Sequence, residues 1–172
     1  AIGKDQEIAM GLQAAPQMAA QHGGLDDNSN DQARVDSIGE RLVQQSVARK
    51  TDWKFNFHLL ADRRTVNAFA LPGGQVFITR ALYDRLKNDD QLAGVLGHEI
   101  GHVLARHGAQ QLAKQQLTQG LTGAVVVASG DQGTGQMAAM IGQMVTMRYG
   151  REDELESDRL GVRLMHEAGY DA

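Results

Sequence analysis

The sequence predicts an α+β fold, and two patterns carry that expectation. Apolar residues recur at helical spacing near both ends and in the middle of the chain; between about Lys54 and Thr79 they alternate as in strands, interrupted by Pro72-Gly73-Gly74. The expected order is helix, helix, three strands, helix, a long excursion and a last helix, with a small, mostly antiparallel sheet. At 172 residues the chain is expected to be a single domain, residues 1–172, with a real core. Within it the N-terminal helices fall in 1–50, the sheet in 54–79, the central helix in 89–107, the excursion in 108–148 and the last helix in 151–168.

From the N-terminus, Lys4 to Gln21 carries Ile8, Leu12 and Ala15 at helical spacing, and Asp31 to Val47 carries Val35, Ile38, Leu42 and Val43. Gly23 to Asn30 between them is rich in turn residues. Phe55, Phe57 and Leu59 alternate along the first strand, and Val66–Leu71 and Gln75–Thr79 flank the Pro72-Gly73-Gly74 turn. Asn88-Asp89-Asp90 suits a helix N-cap and first turn, and His107-Gly108 is its expected end. Leu92, Leu96, Ile100 and Val103 form its buried stripe. Gly94, Gly97, Gly101 and Ala105 form a smooth strip beside it, and each mid-helix glycine costs about 1 kcal/mol relative to alanine. That cost predicts a close approach by another element. The excursion holds the apolar run Leu121–Ala128, the loop Ser129–Gly135, and Met137, Met140, Ile141, Met144 and Met147 at helical spacing. It reads either as packed helices with methionines filling core gaps or as a lid or apolar surface that meets unfolded substrate or membrane. The last helix begins near Arg151 and continues through Leu160, Val162, Leu164 and Met165.

Composition excludes several classes. A net charge of −4 gives no reason to expect nucleic acid as a partner, and no segment reaches the 18 or more apolar residues that span a bilayer. The absence of cysteine excludes disulfides and a cysteine nucleophile. The chain opens on Ala1, which fits a removed leader or a trimmed longer chain, and no signal peptide is visible.

Chemistry enters at His98-Glu99-Ile100-Gly101-His102. Two histidines four apart lie about 40° apart around a helix and one turn apart along it, so both rings reach one metal ion. Glu99 sits close enough to hold a water at that ion without being a ligand, the layout of a zinc peptidase. Catalytic zinc wants three protein ligands. A histidine ten residues after His98 is absent, since that position is Gly108, and His107 falls about 180° away around a continuous helix. The better source is Arg151 to Asp158, where Glu154 and Asp158 share a face while Glu152 and Glu156 are expected to face solvent. Taken alone, that stretch also reads as an acidic first turn complementing the helix dipole.

The pentad, the segment Asn67-Ala68-Phe69-Ala70-Leu71-Pro72-Gly73-Gly74 ahead of it, and Tyr149, Arg151, Glu154 and Asp158 after it resemble metallopeptidase family 48. That family holds the CAAX prenyl endopeptidases, the HtpX-type membrane proteases, the mitochondrial Oma-type proteases and soluble periplasmic relatives. The resemblance runs from about Asp31 to Asp171; Gly150, Ser157 and Ala81 depart from it, standing where serine, alanine and glycine are common. It implies a minimal gluzincin-type zincin with one zinc ion held by His98, His102 and Glu154, Glu99 as general base, and Asp158 orienting a ligand histidine. It further implies that Asn67, Ala68, Phe69 and Ala70 form an edge strand that pairs with extended peptide. The location it implies is the periplasm or cell envelope, with unfolded polypeptide as substrate, membrane-associated clients, and a role in protein quality control.

The mechanism expected is hydrolysis by a metal-activated water, with Glu99 taking the water's proton and passing it to the leaving amine. Tyr149 and Arg151 are the candidates for stabilising the oxyanion. Two rivals stand beside it: a non-proteolytic, zinc-containing module that binds clients in chaperone fashion, and an adaptor whose zinc is structural. Glu99 argues against the adaptor, because a closed structural site has no use for a base.

Overall fold

The structure, a computed structural model, describes residues 2–118, 139–146 and 148–172. Helix α1 spans Lys4–Gln21 and α2 spans Ser29–Gln44, the latter capped by the Asn28 side chain, which accepts from the Asp31 N–H. A 3-10 turn, Val47–Lys50, leads into strands β1 (Asn56–Leu60), β2 (Ala68–Ala70) and β3 (Gln75–Thr79). A short helix α3 (Arg80–Tyr83) precedes α4 (Asp89–Leu104), which is followed by α5 (His107–Thr118), a helical stretch at residues 139–146 and α6 (Arg151–Ala168).

The sheet is mixed rather than mostly antiparallel. Its order is β1-β3-β2: β3 pairs with β1 in parallel from Asn56↔Gln75 to Leu60↔Thr79, and with β2 antiparallel from Ala68↔Ile78 to Ala70↔Val76. The Pro72-Gly73-Gly74 turn closes the β2–β3 hairpin, with φ of 94° at Gly73 and 127° at Gly74. Residues 61–67 carry the chain past β3 to its far side, so β1 meets the strand that runs in its own direction. As a result β2 is an edge strand and β3 is buried along its length.

Side chains alternate across the sheet and feed two cores. Phe57, Leu59, Ala70, Val76 and Ile78 face α2, α4 and α6, joining Val35, Ile38, Leu42, Leu92, Leu96, Ile100 and Leu164. Leu60, Phe69, Leu71 and Phe77 face the other way, toward Met10, Met18, Leu112, Met140, Ile141 and Met144. The described methionines of the excursion therefore fill core space; Leu121–Ala128, Ser129–Gly135, Met137 and Met147 lie outside the described residues. Helix α1 buries Met10, Ala14 and Met18 and leaves Leu12 51% exposed. The expected stripe is turned because Gly11 lies against the Pro72 carbonyl, where a Cβ would come within 2.1 Å.

Two features of α4 position the site. Its glycine strip is where α6 crosses: a Cβ at Gly101 would meet the Ser157 carbonyl oxygen and Oγ at 2.8 Å, and one at Gly97 would meet the Gly161 carbonyl oxygen at 3.3 Å. The helix also stops at Leu104, short of the expected His107-Gly108, because Arg106 takes a left-handed conformation with φ 60°. The Arg106 guanidinium is held there by the Glu7 carboxylate, itself 1% exposed, and by the Ile2 carbonyl oxygen at 2.8 Å. His107 thus begins a new helix with a new direction.

Candidate metal centre

The crossing of α4 and α6 gathers the predicted ligands. His98 and His102 project from α4 with their Nε2 atoms 3.1 Å apart, and Glu154, from the first turn of α6, lies 3.1 Å from each through its two carboxylate oxygens. The ligand-type atoms of these three residues all lie within 4.8 Å of one another. A partly buried hydrogen bond from Ser157 Oγ to the His98 carbonyl oxygen joins the two helices at this point. The glycines of the crossing let the backbones come close enough for a carboxylate one turn into α6 to reach both rings.

Each ring's other nitrogen is occupied. His98 Nδ1 lies 2.7 Å from Asp158 Oδ1, and His102 Nδ1 lies 2.8 Å from His107 Nδ1. Burial first, then the neighbouring His98 and His107, pushes the His102 pKa down to about 3. This imidazole is neutral near pH 7, the form that binds a metal. Two imidazole nitrogens whose rings are held through Nδ1, together with a carboxylate, are a donor set that suits zinc.

The remaining predicted residues fall in three groups. Glu99 is buried, and burial followed by the charge of Glu154 holds its carboxyl well above the usual carboxylate range. With His98 and Val95 it lines a groove of about 600 Å³ whose lining also includes Val66, Asn67 and Ala68. Tyr149 stacks on His102, with centroids 4.3 Å apart, and burial, then Glu99, Glu154 and Asp153, pushes its phenol upward. Arg151 is exposed at the start of α6, on the opposite side of Tyr149 in sequence from His102.

Along β2, the Thr79 N–H donates to the Asn67 carbonyl oxygen and the Leu71 N–H to the Gln75 carbonyl oxygen, at 3.0 and 2.8 Å. The alternation of an antiparallel ladder then turns the N–H and C=O of Ala68 and Ala70 away from β3. Phe69 points its main-chain groups at β3 and stacks its ring on Phe77 at 4.9 Å, so it supports the strand from the core.

Sequence reasoning missed two residues. His107, set aside as lying on the far side of the helix, is 1% exposed behind His102, and Glu156, solvent-exposed as expected, nonetheless places Oε1 2.5 Å from His107 Nε2, a contact that sequence reasoning did not foresee. The angular count assumed an unbroken helix, and the break at Arg106 invalidates it. The available signal was the third histidine itself, five residues after His102.

The sequence pattern described as Peptidase family M48 matches residues 29–172. The chain is 35% identical over 147 residues to the beta-barrel assembly-enhancing protease of Escherichia coli (strain K12), covering 80% of this chain and 29% of that protein. It is 33% identical over 177 residues to the protein of the same name from Yersinia pestis, covering 97% and 35%. It is 32% identical over 139 residues to the mitochondrial metalloendopeptidase OMA1 of Schizosaccharomyces pombe, covering 80% and 40%. The chain thus spans roughly a third of the length of the relatives it matches.

Proposed function

The chain belongs to peptidase family M48, and from that premise we propose that it is a zinc-dependent endopeptidase of the gluzincin type, built as one catalytic domain. The observation that carries this reading is the meeting of His98 Nε2, His102 Nε2 and the Glu154 carboxylate at 3.1 Å, beside a buried Glu99. These three residues would hold one zinc ion. When bound, zinc supplies a Lewis acid that polarises the scissile carbonyl and lowers the pKa of water at the site toward about 7.

The chain's own groups do the rest. Glu99 accepts the proton of the attacking water and delivers it to the leaving amine. Its proton affinity, raised by burial and then by Glu154, strengthens it as a base. Asp158 accepts from His98 Nδ1–H and fixes which nitrogen of that ring faces the ligands. Tyr149, kept protonated by burial and surrounding carboxylates and stacked on His102, is the better candidate to donate to a developing oxyanion, a role the exposed Arg151 is less suited to.

Substrate adds to β2 as an extended strand, using the outward N–H and C=O of Ala68 and Ala70. Main-chain pairing does not depend on side-chain identity, so unfolded polypeptides are the substrate class, in keeping with a role in quality control. Among the described residues no helix is long and apolar enough to cross a membrane. A relative named for beta-barrel assembly supports placing the chain in the periplasm or at the cell envelope, where membrane-associated clients are encountered. The test is cleavage of casein by the purified chain. Activity lost with chelator and restored by zinc is expected; binding of unfolded casein without cleavage, in zinc-loaded protein, would favour a chaperone-like module instead.

A further inference from the structure

Resting on the zinc reading of the centre, we infer that His107 and Glu156 form a relay that positions His102, so that α6 orients both ligand histidines: His98 directly through Asp158, and His102 through His107. The atoms leave one consistent placement of protons. His102 Nε2 faces His98 Nε2 and Glu154 at 3.1 Å, so as a ligand it offers a lone pair and carries its hydrogen on Nδ1. That Nδ1–H donates to His107 Nδ1 at 2.8 Å. His107 therefore carries its own hydrogen on Nε2 and donates it to Glu156 Oε1 at 2.5 Å, with Asp153 Oδ1 at 3.5 Å on the same side. Every ring nitrogen then has one role, and Glu156 selects the tautomer of His102 from two rings away.

The surroundings hold this arrangement. His107 is 1% exposed, and its ring lies against His102 and Tyr149, with centroids at 5.1 and 5.8 Å. Its backbone direction is set by the left-handed Arg106, clamped to Glu7 and Ile2. Without an acceptor at His107 Nδ1, the buried His102 Nδ1–H is unsatisfied, and the competing tautomer, with hydrogen on Nε2, offers no lone pair on the side that faces His98 and Glu154. His107 and Glu156 are thus positioning residues. A cation held by His107, Asp153 and Glu156 would take the same Nε2 and break the relay, so the two arrangements are mutually exclusive.

The test is zinc affinity, measured by competition with a chromophoric chelator, together with zinc per chain and urea unfolding of the metal-free proteins. Wild type should hold one zinc. His107→Phe should weaken binding about 10-fold to 100-fold, the range found for partners that orient metal-bound histidines. His107→Asn, whose amide oxygen can accept in place of Nδ1, should recover most of that loss, a rescue that simple packing would not produce. Glu156→Ala, altering a side chain that is 55% exposed, should weaken binding less than His107→Phe with unfolding unchanged, and it carries the test if His107→Phe does not fold. Wild-type affinity in both His107→Phe and Glu156→Ala overturns the relay while leaving the metal reading intact. A second zinc per chain, lost in Glu156→Ala, also overturns the relay, and wild type without zinc overturns the metal reading and the relay together.

Discussion

Asp158 and His98 meet through the nitrogen that points away from the ligand cluster: Oδ1 lies 2.7 Å from Nδ1, while Nε2 of the same ring lies 3.1 Å from Glu154. One helix, α6, thus supplies both the proposed third ligand and the carboxylate that turns the first ligand toward it. Because Glu154 and Asp158 are one turn apart, the two functions are fixed relative to each other by helix geometry alone.

Replacing Asp158 with alanine should therefore leave all three ligands and lower zinc affinity about 10-fold to 100-fold. Chelator competition reads this directly. A variant that lost zinc as completely as Glu154→Ala would place Asp158 on the metal and require the two roles to be exchanged.

The edge strand supplies a second prediction. Ala68→Pro removes an outward N–H at a half-buried position on the groove wall and breaks no bond to β3. Cleavage of unfolded casein should fall at least about tenfold, the loss of one well-placed hydrogen bond, with zinc content and thermal unfolding nearly unchanged. Full activity in the folded variant would mean that peptide enters elsewhere.

The helix crossing supplies a third, in which two glycines of one strip behave oppositely. Gly101→Ala drives a Cβ within 2.8 Å of the Ser157 carbonyl oxygen and Oγ, and the misfit should cost about 1–3 kcal/mol in urea unfolding and weaken zinc binding. At Gly94 the nearest atom to an added Cβ is Met165 Sδ at 3.9 Å, so Gly94→Ala should stabilise by about 0.5–1 kcal/mol through helix propensity. Equal effects at the two positions would show that the crossing is looser than described.

What could be read in advance depended on how far each inference had to reach along the chain. His98, Glu99 and His102 lie on one unbroken stretch of α4, where angular counting is sound, and Glu154 and Asp158 stand in the same relation on α6. His107 was misplaced, and the contact that the exposed Glu156 makes with it went unseen, because the α4 break depends on Arg106 meeting Glu7, about a hundred residues earlier in the chain. The sheet order failed for a related reason. A turn such as Pro72-Gly73-Gly74 is written locally, whereas the parallel pairing of β1 with β3 depends on where residues 61–67 lead the chain. Leu12 lies exposed because the face of α1 is set by the contact of Gly11 with the Pro72 carbonyl, which no local periodicity encodes.

Glu99 is proposed to act as the base beside a zinc held by His98, His102 and Glu154. The most direct test of this role is Glu99→Gln, measured for zinc per chain and for casein cleavage alongside wild type. The amide keeps the size of the buried side chain but cannot accept the water's proton, so zinc should remain at one per chain while cleavage falls by roughly two to four orders of magnitude. Residual cleavage above about a tenth of wild type, beyond what loss of a general base permits, would contradict the assignment.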